Sequence, residues 1–326
     1  MKFVDEFRDR AKAEVLIREI EALVAAIDRP AGRPLHIMEV CGGHTHSIFR
    51  YGIEGMLPAG IELIHGPGCP VCVLPMGRVD DCVSIAERPE VIFTTFGDAM
   101  RVPGSRKSLI QAKADGADVR MVYSPLDALS LARRNPDREV VFFGLGFETT
   151  MPSTALTILQ AECEGIGNFS VFCNHITIVP TIKAILDSPD LTLDGFLGPG
   201  HVSMVIGTAP YAFIADYYKK PMVVAGFEPL DILHSIWMVL RQIAEGRAEI
   251  ENQYDRIVPD AGNAAALRAV SRVYELRAYF EWRGLGSIDH SGVKPREAYA
   301  RFDAERKFAI PGVKIADPKA CQCGEV

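Results

Sequence analysis

The stretch VVFFGLGFETTMPSTALTILQAECEG, residues 140–165, sets the fold class. Its uninterrupted apolar run VVFFG reads as a buried strand, Gly144 and Gly146 turn the chain, and STALTILQAECEG then shows helical spacing. Thr149, Thr150 and Ser153 are available as caps, with Pro152 in the first turn. The turn is not a dinucleotide fingerprint, because Thr149 stands where G-x-G-x-x-G has its third glycine. A strand leading through a glycine turn into a helix is the repeating unit of a parallel sheet.

That unit recurs on both sides. LHIMEV, IELIH, VIFTTF and VRMVYS read as buried strands before it, and FSVFCN, DGFLG and MVVAGF after it. LIQAKADGA, LDALSLARRN and PTIKAILDS supply helices between them. The expectation is an α/β protein with two parallel-sheet α/β domains, helices on both faces and right-handed crossovers. An N-terminal helix and linker would occupy 1–34, with apolar residues from Phe3 to Ile27 at helical spacing until DRPAGRP. The first domain would span 35–138 and the second 139–246, dividing near Asn135–Arg138. LDILHSIWMVLRQIAEG and AALRAVSRVYELRAYFEWRG are strongly amphipathic and no strand pair is evident there, so 247–326 is expected to be helical, ending in a loop-rich cysteine segment.

The chain has 326 residues, 24% charged and 48% hydrophobic, which excludes a disordered or collagen-like polymer. A net charge of -7 without a basic stripe argues against nucleic acid as a partner. The opening MKFVDEFRDRAKAEVLIREI lacks the apolar run of a signal peptide or membrane span, so a cytoplasmic protein is expected. In that reducing compartment, eight cysteines point to metal or redox chemistry before disulfides. Cys82, Cys163 and Cys173 lie in apolar patterns and are read as small hydrophobes.

The other five cluster: Cys41 in VCGGHTHS (40–47), Cys69 and Cys72 in HGPGCPVC (65–72), and Cys321 with Cys323 at the end. The first two turns follow strands, where α/β domains place their ligand crevices. If those strands are neighbours, Cys41 approaches Cys69 and Cys72. CPVC has the spacing of a dithiol able to close into a disulfide, while Cys41, His44, Cys69 and Cys72 also make a plausible zinc set. A structural zinc ordinarily staples a domain that lacks a core, so redox or reaction chemistry is the preferred reading. His44 is assigned to the crevice and His46 to packing or capping beside Ser47. Glu148 reads either as a carboxylate at a helix terminus or as a crevice group. His65, His175 and His201 adjoin glycine-rich or strand-end positions, and GPGHVSMV (198–205) partly repeats GPGCPVCV (66–73).

CGGHTH, GPGCPVC and GFETT in this order, followed by a helical region and terminal cysteines, resemble the HypD family of hydrogenase maturation proteins along essentially the whole chain. The resemblance implies an accessory protein for the Fe(CN)2CO group of [NiFe]-hydrogenases. It would form a scaffold complex with HypC, receive cyanide from HypE, and be a metallocentre assembly scaffold with redox activity, not a turnover enzyme. It further implies that Cys41 is an iron ligand beside His44, that HypC gives a second thiolate, and that Cys69 and Cys72 form a redox pair relaying electrons from a C-terminal [4Fe-4S] cluster. That cluster takes four cysteines, and this chain offers Cys321 and Cys323 there. Truncation is the expected explanation, ahead of an absent cluster or substitute ligands. Two rival classes remain: a zinc-stabilised α/β binding protein, and a dithiol oxidoreductase, which would not require Cys41.

Overall fold

The computed structural model describes residues 5–30, 32–189 and 192–310. Its strands in chain order are β1 (Leu35–Glu39), β2 (Ile61–His65), β3 (Val91–Thr95), β4 (Val119–Met121), β5 (Glu139–Gly146), β6 (Phe169–His175), β7 (Gly195–Pro199), β8 (Met222–Ala225) and β9 (Ile250–Asn252). The short β10 (Tyr274–Leu276), β11 (Tyr279–Trp282), β12 (Gly286–Asp289) and β13 (Val293–Pro295) follow. The fold is α/β as expected, with parallel sheets ordered β2-β1-β7-β8-β9 and β4-β3-β5-β6 and flanked by helices. Burial explains the apolar runs: every residue of β3, β6, β7 and β8 is buried, as a parallel sheet covered on both faces demands.

The pairing cuts across the expected division at Asn135–Arg138. One compact unit comprises Met1–Cys69 and Ile182–Ala264, the other Pro70–Thr181 and Ala265–Val326. Residues 70–181 are a series of strand–helix units inserted between β2 and β7. An apolar run declares that a strand is buried but not which strand lies beside it, so an insertion of whole units leaves no mark in the spacing.

In the first unit, Ile37, Leu197 and Val223 of the sheet pack with Ile20 and Val24 of helix Arg10–Ala26 and with Ile232, Ile236 and Val239 of helix Pro229–Ala244. In the second, Val140, Phe142 and Val171 pack with Leu129 and Ala132 of helix Pro125–Arg134 and with Ala155 and Ile158 of helix Met151–Cys163. That helix keeps Pro152 in its first turn, with Thr150 at the N-cap position.

The region after Glu228 differs from the helical expectation. Helix Pro229–Ala244 forms, but β9 then joins the first sheet beside β8 in parallel. Helix Ala264–Val273 ends where the second amphipathic stretch turns into strand: β10 pairs with β13 and β11 with β12, both antiparallel. In YELRAYFEW, residues 274–282, Tyr274, Leu276, Ala278, Phe280 and Trp282 alternate with other residues, a strand period. Gly284 and Gly286, at φ of 82° and 76°, make the hairpin turn. Cys163 also departs from the reading as a buried hydrophobe: it closes its helix and is exposed, whereas Cys82 and Cys173 are buried. Among the described residues no helix is long and apolar enough to cross a membrane.

Candidate functional site

In the first sheet β1 lies between β2 and β7, so three glycine turns emerge side by side from its carboxyl edge. CGGH leaves the central strand, GPGC leaves β2 and GPGH includes the end of β7. Cys41 is the N-cap position of helix Gly42–Tyr51, with extended backbone. The Gly42 N–H donates to Gly68 O at 3.1 Å and the Gly66 N–H to Glu39 O at 2.8 Å, lacing the Cys41 turn to the Cys69 turn. A Cβ on Gly68 would lie 2.5 Å from the Cys41 Cα and N, and one on Gly42 would lie 3.7 Å from the Cys69 Cβ. The two cysteines therefore occupy adjoining turns, as their strands predicted. Cys72, half-buried, belongs to the other unit.

Burial pushes the Cys41 thiol up to about 11, overriding the pull of the Gly43 and His44 N–H groups at the helix start. Behind it lies Glu39, fully buried at the end of β1. One carboxylate oxygen accepts the Cys41 N–H at 2.9 Å; the other accepts the Thr45 hydroxyl and contacts His65 Nδ1 at 2.9 Å. His65 is raised above its usual pKa, chiefly by that hydrogen bond. Three partners from the strand end, the helix and β2 thus offset the desolvation of one carboxylate.

His44 is fully buried and His46, two residues on and on the opposite side of the helix, is exposed. His44 Nε2 meets Ala225 O at 3.1 Å, which makes Nε2 the protonated nitrogen, and Nδ1 has no hydrogen-bond partner among the described residues. Burial lowers its pKa, so the ring is neutral near pH 7. It stacks on Phe227 with centroids 4.7 Å apart, and His201 stacks on Phe227 at 3.8 Å.

In the second unit Gly146, at φ 140°, ends β5, and a Cβ there would sit 2.0 Å from Thr150 Oγ1. Glu148 follows, buried. Its Oε1 accepts the Ile178 N–H at 3.0 Å at the start of helix Ile178–Leu186, Oε2 is without a partner among the described residues, and burial raises its pKa to about 7. The carboxylate therefore serves a helix terminus other than its own. His175, paired with Gly146 in the sheet, contacts Thr154 and Thr150 and is held neutral by burial, its pKa near 4.

Comparison with known proteins places the sequence in a family. The family described as "HypD: Hydrogenase formation hypA family" matches residues 12–326. The chain belongs to the HypD family. Hydrogenase maturation factor HypD of Rhodobacter capsulatus is 64% identical over 330 residues, covering 100% of this chain and 88% of that protein. The protein of the same name from Escherichia coli (strain K12) is 56% identical over 326 residues, covering 100% and 87%, and that of Cupriavidus necator is 50% identical over 333 residues, covering 100% and 86%. At that level the chain is a hydrogenase maturation factor.

Two residues of this HypD-family site escaped the sequence reading. Glu39 was legible only as an acidic residue inside the apolar run LHIMEV, and Phe227 looked like the end of the run MVVAGF. Among the described residues no group of three or more His, Cys, Asp or Glu side chains is gathered to hold a metal ion. Cys321 and Cys323, expected to bind a [4Fe-4S] cluster, lie outside the described residues, and two thiolates fall short of the cluster's four.

Proposed function

We propose that this chain, with HypC, forms the scaffold on which the Fe(CN)2CO group of [NiFe]-hydrogenases is assembled, with HypE as cyanide donor. Iron and its diatomic ligands are cargo here, so the activity is assembly, not turnover of a small molecule. Cys41 supplies this chain's thiolate to iron and HypC a second. Cys69 and Cys72 act as a redox pair that passes two electrons to the iron site and releases two protons on closing to a disulfide, and takes electrons back from the C-terminal cluster on reopening. Soft thiolates suit low-spin iron carrying cyanide and carbon monoxide.

The observation that carries this reading is the position of Cys41: a half-buried thiol at a helix start, its backbone fixed by Glu39 and its turn laced to that of Cys69. Burial keeps it protonated until a metal displaces the proton, which limits unwanted oxidation. The test is anaerobic co-purification with the small partner followed by infrared spectroscopy, since cyanide and carbon monoxide absorb where protein does not. Bands in the wild-type complex that vanish in folded Cys41→Ala are expected. Bands that persist in that variant reject the reading, and a variant that unfolds and releases zinc supports a structural metal instead.

A further inference from the structure

Phe227 is fixed on every side beside Cys41. Its ring faces are covered by His44 at 4.7 Å and His201 at 3.8 Å, with interplanar angles of 26° and 19°. Its edges abut glycine: a Cβ on Gly43 would fall 2.7 Å from Cε1, and one on Gly200 would fall 3.2 Å from Cε2. The same Cβ position on Gly43 is 3.7 Å from Cys41 Sγ, so the sulfur and the ring edge both border the space that a side chain at 43 would fill. Tyr254 meets the ring edge-on at 6.0 Å. The main chain around it is tied as firmly. Gly226 N–H donates to Gln253 at 3.1 Å and Glu228 N–H to Asp231 at 3.2 Å, and buried Asp231 is held by Arg256 at 2.6 and 2.9 Å.

A ring bound this way is costly to reorient, and nothing in the thiolate chemistry alone requires it. Its position suits a different task. Cyanide and carbon monoxide on iron are short and rigid, and their stretching frequencies respond to the polarity around them. An aromatic wall near the sulfur would keep water from one side of a metal held there.

We propose that the Phe227 ring is the wall against which the diatomic ligands of a metal on Cys41 pack, and that His201 is a positioning residue that holds the ring to His44. This rests on the assembly reading above. It also gives the GPGH turn a use: Gly200 admits the ring edge and His201 covers its outer face.

The test is the infrared spectrum of the anaerobically purified complex with the small partner, comparing wild type, Phe227→Leu, His201→Ala and Cys41→Ala, with iron content and thermal unfolding measured on each. The expected result is that Phe227→Leu and His201→Ala keep iron but shift the cyanide and carbon monoxide bands beyond the spread of wild-type replicates. A loss of packing elsewhere in the sheet would lower the melting temperature without moving those bands. His201 is exposed, so His201→Ala reports even if Phe227→Leu does not fold. Unshifted bands at wild-type iron content in His201→Ala and in any folded Phe227→Leu overturn the wall while leaving the assembly reading intact. Bands that survive in Cys41→Ala overturn both.

Discussion

Cys41 and Glu148 are both titratable groups displaced by burial, and each displacement has a measurable consequence. For Cys41, a thiol raised to about 11 reacts slowly at neutral pH, because only the thiolate is nucleophilic. Alkylation of the metal-free chain by iodoacetamide, followed peptide by peptide in the mass spectrometer, should quicken at Cys41 by about tenfold per pH unit between roughly pH 8 and 10, well past the usual thiol value of about 8.5. A plateau near pH 9 would contradict the burial argument. For Glu148 the folded pKa, about 7, exceeds the unfolded value of about 4.3. The fold therefore favours the protonated acid: its contribution is whole below the unfolded value and is lost as pH rises through 7. Glu148→Gln keeps an oxygen for the Ile178 N–H and cannot ionise. It should match wild type near pH 4 and exceed it at pH 8 by roughly 1–3 kcal/mol, on a scale of about 1.4 kcal/mol per pKa unit. Urea midpoints at the two pH values check this, and a pH-independent difference would refute it. Of the candidate site residues, Cys41, His44 and Cys69 could be picked out from glycine-rich turns at strand ends. Glu39 was not, because an acidic residue at a strand end ordinarily marks the exit to solvent, and only the neighbours Thr45 and His65 reveal its burial.

Among elements, the contact that matters most is the turn after β2 against the turn after β1. Gly68→Ala would push a methyl into the backbone of Cys41, which has no rotamer with which to yield. A loss of about 1–3 kcal/mol is expected from such overpacking. Gly55→Ala, where a Cβ meets nothing within 4 Å, should stay within about 0.5 kcal/mol. Denaturant unfolding of both variants tests the pair, and equal stabilities would mean the two turns are not rigidly laced. Strand and helix runs were readable at this scale because buried β3 and β5 carry the apolar runs VIF and VVFF, and buried β6 carries VF. The β10 and β11 strands were misread for an equally physical reason. Tyr274, Ala278 and Trp282 also stand at helical i, i+4, i+8 spacing, and an amphipathic helix immediately precedes them.

For the molecule as a whole, the consequence is a chain whose units are discontinuous. Residues 1–138 hold β1 and β2 without β7, β8 and β9, and β3 and β4 without β5 and β6. That fragment should be unfolded, with poorly dispersed amide resonances and no cooperative melt; a cooperative transition would contradict the sheet orders. Sequence spacing hid this arrangement because parallel neighbours are chosen by crossovers that skip along the chain, and each strand carries the same apolar signature whichever sheet it joins. What the discontinuity achieves is local: it brings the turn after β7, with His201 160 residues beyond Cys41, beside the turn after β1. The claim on which the functional account depends is that the Cys41 sulfur binds iron. Iron-edge X-ray absorption of the anaerobic complex with its small partner, wild type against Cys41→Ser, measures that bond itself. The account predicts one sulfur neighbour fewer around iron in the serine variant, and an unchanged sulfur count at equal iron loading would contradict it.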